Sequence, residues 1–218
     1  MGIIRIAIDG PSGSGKSTTA KSIAKALKIE YVDTGAMYRA VAYKARANGI
    51  LPEDDDAVKQ MLEHTEIDFI DGNVYLDGQN VNDKIRTIEI SALASLISKL
   101  PSCRSKLVDI QRSIANAKSV VMDGRDIGTN VLEDAEFKFY ITASADVRIR
   151  RRFEELKAKG DDVTIEAVAA DLMQRDLNDT MRELNPLRKA DDAIEISTDE
   201  KNIEQVTKTL LQYINSKG

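Results

Sequence analysis

Between Gly10 and Ser17 the chain reads GPSGSGKS, three glycines at short spacing followed by a lysine and a hydroxyl. Glycines so placed let backbone N–H groups turn inward around an anion, so Gly10, Pro11, Ser12, Gly13, Ser14 and Gly15 read as a cradle for phosphate oxygens. Lys16 can reach the β- and γ-phosphates of a nucleoside triphosphate and Ser17 can ligate Mg²⁺. Thr18 follows in the first turn of the next helix, whose N-terminus adds positive dipole. The supported chemistry is transfer or hydrolysis of a terminal phosphoryl group. A P-loop alone does not choose between these, because switches, motors and small-molecule kinases all carry one.

Two further segments bear on the choice, DTGAMYR at Asp33–Arg39 and DGRDIGT at Asp123–Thr129. Each follows an apolar run. If both runs are strands of one parallel sheet, their ends converge on the P-loop, in the crevice where α/β proteins bind ligands. Arg39 and Arg125 each suit bidentate phosphate binding and could grip a second phosphate facing the donor. VVMD, ending at Asp123, resembles a Walker B strand whose carboxylate holds Mg²⁺ directly or through water. Seven of the fourteen arginines fall between Arg148 and Arg188, a clustering that can create a local anion site in an acidic protein.

The elements that must position these residues follow from hydrophobic pattern. Ile3–Ile8 is a short apolar run suited to a strand buried on both faces, and Ser119–Met122, Phe137–Ile141, Ala193–Ile196 and Ile29–Val32 resemble it. Helical patterns at Ser17–Leu27, Ile88–Leu100 and Cys103–Ala117 alternate with them. That order implies right-handed βαβ crossovers, so the fold class is α/β with a parallel sheet. Ile67–Val81 breaks the alternation: Asp71-Gly72 and Asp77-Gly78 separate β-rich pieces, which predicts a small antiparallel insert. Asp146–Leu187 is charged and helical, and Gly160 with Asp161-Asp162 divides it into two helices, as in a hinged arm. Ile203, Val206, Leu210, Leu211 and Ile214 share one face of a C-terminal helix expected to pack on the sheet.

Taken as a set, IDGPSGSGKST, YVDTGAMYR, DKIRT, VVMDGRDIGT and RDLND followed by Arg182 resemble the bacterial cytidylate kinases over nearly the whole chain. The resemblance implies a P-loop NTPase fold: a five-stranded parallel sheet of order 2-3-1-4-5 flanked by helices, a small antiparallel β insert and a helical lid. It implies one kinase domain, with core 1–35, 93–145 and 188–218, an acceptor-binding region 36–92 and a lid 146–187. By matched position, Thr34, Arg104 and Asp126 would contact cytosine. Arg39, Arg125 and Arg182 would hold the acceptor phosphate, and Arg175 and Asp179 the pentose, with Ser95 beside Asp179. Arg148, Arg151 and Arg152 would belong to the lid. Lys16, Arg125, Arg151, Arg152 and Arg182 would then meet the charge of a loose phosphoryl-transfer transition state, for which no general base is required. The implied reaction is Mg²⁺-dependent transfer from ATP to CMP or dCMP. A carboxylate at Asp126 suits cytosine, whose exocyclic amine donates a hydrogen bond where uracil offers none.

Composition narrows the alternatives. The net charge of −5 opposes the basic footprint of a nucleic-acid binder, and no apolar stretch approaches the ~20 residues that span a bilayer. Met1 runs into a strand-like segment without a basic leader and apolar core, so the expected compartment is the cytoplasm. One cysteine, Cys103, and one histidine, His64, make neither an internal disulfide nor a zinc site; both read as structural. A monomer is expected. The competing readings are a P-loop kinase for UMP, AMP or a non-nucleotide metabolite, and a nucleotide switch, which the lack of any N-K-x-D segment disfavours.

Overall fold

The protein is described by a computed structural model covering residues 2–70 and 72–217. Strand β1, Arg5–Asp9, is buried from its second residue onward. It is central, running parallel to β6 (Val120–Gly124) on one side and β7 (Phe137–Thr142) on the other. β2 (Glu30–Asp33) adds outside β6 and β8 (Ile194–Ser197) outside β7, also in parallel. Counting only this sheet's five strands in chain order, the spatial order is 2-3-1-4-5, as the resemblance implied.

Alternation along β1 sends side chains to two cores. Ile6 and Ile8 pack with Phe139 and Ile141 against α1 (Lys16–Leu27) and α8 (Ile203–Lys217). Ala7 faces the other layer, built from α2 (Thr34–Ala47), α3 (Asp55–Glu63), α4 (Ile88–Ile97) and α5 (Pro101–Ala117). Burying both faces is what makes these strands read as continuous apolar runs. The insert is a three-stranded antiparallel sheet of β3 (Ile67–Ile70), β4 (Asn73–Leu76) and β5 (Gln79–Asn80). Ile67, Phe69, Val74 and Leu76 turn inward to the α2 side. Asp77 and Gly78 both have positive φ, 49° and 75°, as a two-residue hairpin of this hand requires. Of the other turn signal, Asp71 lies outside the described residues. The charged arm forms α6 (Ala145–Ala158) and α7 (Ile165–Met181), which pack on each other and part at Gly160.

Four details differ from the sequence pattern. The run Ile88–Leu100 is not one helix: α4 stops at Ile97, and Pro101 opens α5 two residues before the expected start. Proline at N1 gives up an N–H that has no helical partner there, and disfavours helix in the residue before it. α3 was not anticipated, although Asp54 caps it by accepting from Ala57 N at 3.0 Å and Asp55 and Asp56 fill its first turn. Ile127–Val131 forms a single π-helical turn. Ile203, expected on the packed face of α8, is 43% exposed at the start of that helix.

Gly10 ends the central strand with φ 152°, and a Cβ there would lie 2.0 Å from the Ile141 carbonyl oxygen. Backbone cannot yield as a side-chain tip can. Gly10→Ala should therefore destabilise by about 3 kcal/mol or more, from overpacking and a strained φ together. Chemical denaturation checks this; a loss within 1 kcal/mol on the same ~3 kcal/mol scale would mean that β1 and β7 part easily.

Candidate active site

The ends of β1, β2 and β6 carry the three motifs to one edge of the sheet, above a cleft of about 730 Å³. On the donor side, Gly15 at φ 89° precedes Lys16, and no side chain caps α1. Gly15, Lys16, Ser17 and Thr18 line the cleft, so the uncapped N-terminus of α1 borders it, as an anion site requires. Lys16 is 6% exposed and, among the described residues, its Nζ donates to the Pro11 carbonyl alone, at 3.1 Å. Burial, reinforced by the Arg125 charge, pushes Lys16 down to about 7. An anionic phosphate would restore its charge. Ser17 Oγ donates to Asp123 Oδ2 at 2.6 Å and Tyr31 OH donates to Asp123 Oδ1 at 2.7 Å. Burial and the nearby Asp33 raise the Asp123 carboxyl.

The acceptor side is a set of ion pairs. Asp33 caps α2 through Ala36 N at 2.9 Å and pairs with Arg39 at 3.0 Å. Burial raises Asp33, but Arg39 and the Ala36 amide outweigh it and leave the carboxyl lowered. Thr34 Oγ1 donates to the Asp123 carbonyl at 2.7 Å. Arg125 Nε donates to Asp179 at 2.6 Å. Asp126 is the hub: Oδ1 accepts from Arg182 Nη2 at 2.8 Å, and Oδ2 accepts from Asn130 at 2.9 Å and from Arg104 Nη2. Arg182 is also tied to the Asn185 carbonyl at 2.8 Å.

The helical arm contributes the remaining cations. Arg151 donates to Thr198 Oγ1 at 2.8 Å and to its carbonyl at 2.7 Å, while Thr198 Oγ1 donates to the P-loop carbonyl of Ser14 at 3.0 Å. Arg152 pairs with Glu155 at 2.8 Å. Arg175 pairs loosely with Asp171, at 3.8 Å. Burial and then the Arg125 charge lower the Arg175 guanidinium: these cations crowd one another, and a polyanion would relieve them.

Most of the expected residues meet on the cleft wall. Ser12, Gly13, Ser14, Gly15, Lys16, Ser17, Thr18, Thr34, Arg39, Ser95, Asp123, Arg125, Asp126, Arg151, Arg152, Arg175, Asp179 and Arg182 line it. Gly10, Pro11 and Arg104 do not; Arg104 is 3% exposed behind Asp126. Ser95, expected beside Asp179, accepts from the side chain of its chain neighbour Asn178, at 3.1 Å. Arg148 is absent from the wall and instead braces the loop from behind, donating to the Ser12 carbonyl at 3.1 Å and to Asp176 at 2.6 Å.

Sequence reasoning missed Tyr31, Arg86, Thr198 and Asp9. Thr198 follows β8, so the strand-end rule that found the other motifs applies to it equally. Tyr31 and Arg86 lie inside the quoted segments YVDTGAMYR and DKIRT, but nothing in those segments assigned either side chain a role. Asp9 holds both its carboxylate oxygens 2.8 Å from amides, Oδ1 to Ile127 N and Oδ2 to Gly128 N. Burial pushes its carboxyl up to about 6 against the downward pull of those two amides.

Known proteins share both the sequence and the fold. The family model described as cytidylate kinase matches residues 6–216. A cytidylate kinase of Clostridioides difficile (strain 630) is 47% identical over 215 residues, 99% of this chain and 100% of that protein. One of Alkaliphilus oremlandii (strain OhILAs) is 46% identical over 98% of this chain and 99% of its own length. Among solved structures, an uncharacterized protein from Eubacterium ventriosum ATCC 27560 superposes with a TM-score of 0.53 at 17% identity, covering 99% of both chains. An unliganded sugar kinase from Janibacter sp. HTCC2649 gives 0.50 at 14%, over 98% of this chain and 95% of that one. These two bear on the fold alone. With a family model spanning the sheet, the insert and the arm, and relatives near half identical from end to end, the chain belongs to the cytidylate kinase family.

Proposed function

We propose that the protein transfers the γ-phosphoryl group of ATP to CMP, and to dCMP, as a monomeric cytoplasmic enzyme of pyrimidine nucleotide metabolism. The observation that carries this reading is the second cation cluster facing the P-loop, with the Asp126 carboxylate held between two arginines. A phosphatase or switch has no use for it. A kinase needs one anion site for the donor and another for the acceptor.

In this reading the acceptor phosphate lies among Arg39, Arg125 and Arg182, the pentose against Arg175 and Asp179, and the cytosine amine donates to Asp126. Arg125 and Arg182 begin in ion pairs with Asp179 and Asp126, so binding exchanges carboxylate partners for phosphate oxygens. An acceptor oxygen then bonds to the γ-phosphorus as the bond to the β-bridging oxygen breaks, and ADP leaves with that electron pair. The nucleophile is already an anion at neutral pH. Lys16 and the P-loop amides fix the donor, and Arg151 and Arg152 approach the transferring group from the arm, where positioning and charge supply most of the rate. Closing the arm would exclude water and limit hydrolysis of ATP.

The Ser17 hydroxyl and Asp123 carboxylate, 2.6 Å apart, are hard oxygen donors suited to Mg²⁺, the hydroxyl directly and the carboxylate through water. When bound, the metal would neutralise charge on the β- and γ-phosphate oxygens.

ADP release from Mg·ATP, measured separately with CMP, dCMP, UMP, AMP and no acceptor, tests the proposal. Fast release confined to the cytidine nucleotides is expected. Preference for UMP or AMP would reassign the acceptor, and release indifferent to the acceptor would leave only a P-loop ATPase.

A further inference from the structure

Asp9 is 4% exposed and does not line the cleft, so it touches neither ligand. It stands at the end of the central strand, with β6 and β7 hydrogen-bonded on either side. From there its side chain spans to the loop after β6, where Oδ1 and Oδ2 each accept one amide at 2.8 Å, from Ile127 and Gly128. These are the two peptide groups immediately after Asp126. The first includes the Asp126 carbonyl, so the hydrogen bond fixes the plane that sets Asp126 ψ at 30°, outside both helix and strand values. On the loop side the Asp126 carbonyl accepts from Val131 N at 3.1 Å, within the π-helical turn. On the sheet side two charge-assisted bonds from a rigid strand hold the same plane, and such bonds are about twice as strong as neutral ones.

We propose that Asp9 is a positioning residue for acceptor recognition: it orients the backbone from which Asp126 presents its carboxylate to the acceptor base. The inference rests on the reading of Asp126 given above. Its consequence is a tie between the two halves of the site, because the residue directly before the P-loop sets the geometry of the base-reading loop. Gly128 takes part from the other side, since a Cβ there would lie 3.4 Å from Asp9 Oδ2 and 3.3 Å from Lys138 Cδ.

Asp9→Asn keeps the shape but turns one acceptor into an NH₂ group that faces an amide N–H. The conservative change should raise KM for CMP at least fivefold, lower the CMP-to-UMP ratio of kcat/KM by a similar factor, and leave KM for ATP within twofold. Gly128→Val, whose branched side chain extends beyond a contact that a Cβ alone already fills, crowds Asp9 Oδ2 from the loop side and should move the same quantities in the same direction. It also decides the question if Asp9→Asn does not fold. Unchanged CMP parameters in a folded variant, or KM values for CMP and ATP rising together, would overturn the inference and leave Asp9 a structural tie. Asp126→Asn measured alongside separates the two ideas. If it abolishes base discrimination while the Asp9 and Gly128 variants do not, only the Asp9 inference fails; if it leaves discrimination intact, both fail.

Discussion

Lys16→Met is expected to lower kcat by about 10²–10³, as loss of a preorganised charge at the transferring group does, while leaving the protein as stable as before or more so. The two effects come from one cause. Lys16 is buried against the Pro11 carbonyl, and that burial pushes it down to about 7 in the fold, against an ordinary value of 10.5. Below pH about 7 both folded and unfolded chains hold the proton, and the fold bears the whole cost of a buried charge. Between about 7 and 10.5 the unfolded chain holds a proton that the fold has released, so wild-type stability rises with pH across that window. Lys16→Met should be more stable than wild type at neutral pH, and the gap should close towards pH 10.5. Denaturant titrations at several pH values, beside turnover with CMP, test both halves. Full activity would remove the P-loop assignment, and a variant that is markedly less stable would mean that Lys16 supports the fold rather than the ligand.

Asp126→Asn should change what the enzyme accepts as well as how firmly it folds. The carboxylate can only accept hydrogen bonds, and the cytosine amine donates one; an amide offers an NH₂ donor that suits the uracil carbonyl instead. We expect kcat/KM for CMP to fall about a hundredfold or more, on the scale set by leaving a polar group unpaired in a binding site, with UMP becoming the better acceptor in relative terms. Stability should fall too, because Arg104 and Arg182 are both buried and both rely on this carboxylate. Breaking a buried ion pair costs about 3–5 kcal/mol when one charge is removed, and the amide retains part of the hydrogen bonding, so the lower end applies. A folded variant that still prefers CMP would remove Asp126 from base recognition, and undiminished stability would show that the two arginines find other partners.

The second of these results depends on a feature that local pattern could not supply. The DGRDIGT segment announces a carboxylate and an arginine near a strand end, but Arg104 lies 22 positions away on α5 and Arg182 lies 56 positions away after α7. No periodicity relates them. Arg148 shows the same limit in reverse: it stands in the arginine run that resembles a lid, yet three-dimensional packing turns it under the P-loop, where its Cβ lies 3.2 Å from the position a side chain on Gly13 would need. Within one helix only contact with neighbouring elements separates Arg148 from Arg151 and Arg152, which reach the cleft.

What the sequence determined by itself was whatever depends on neighbours in the chain. The P-loop is a backbone conformation specified by glycines at fixed spacing, the strands are apolar runs whose two-sided burial forces a parallel α/β sheet, and the insert is dictated by turn residues that accept positive φ. Family resemblance added the strand order and the list of residues. Tertiary structure decided which charges face ligand and which face each other: Asp9 tied to the amides of Ile127 and Gly128, Tyr31 to Asp123, Arg151 to Thr198. The reason is physical. A buried charge must be paired wherever its partner happens to be brought, so its role is fixed by the folded surroundings rather than by the residues on either side of it.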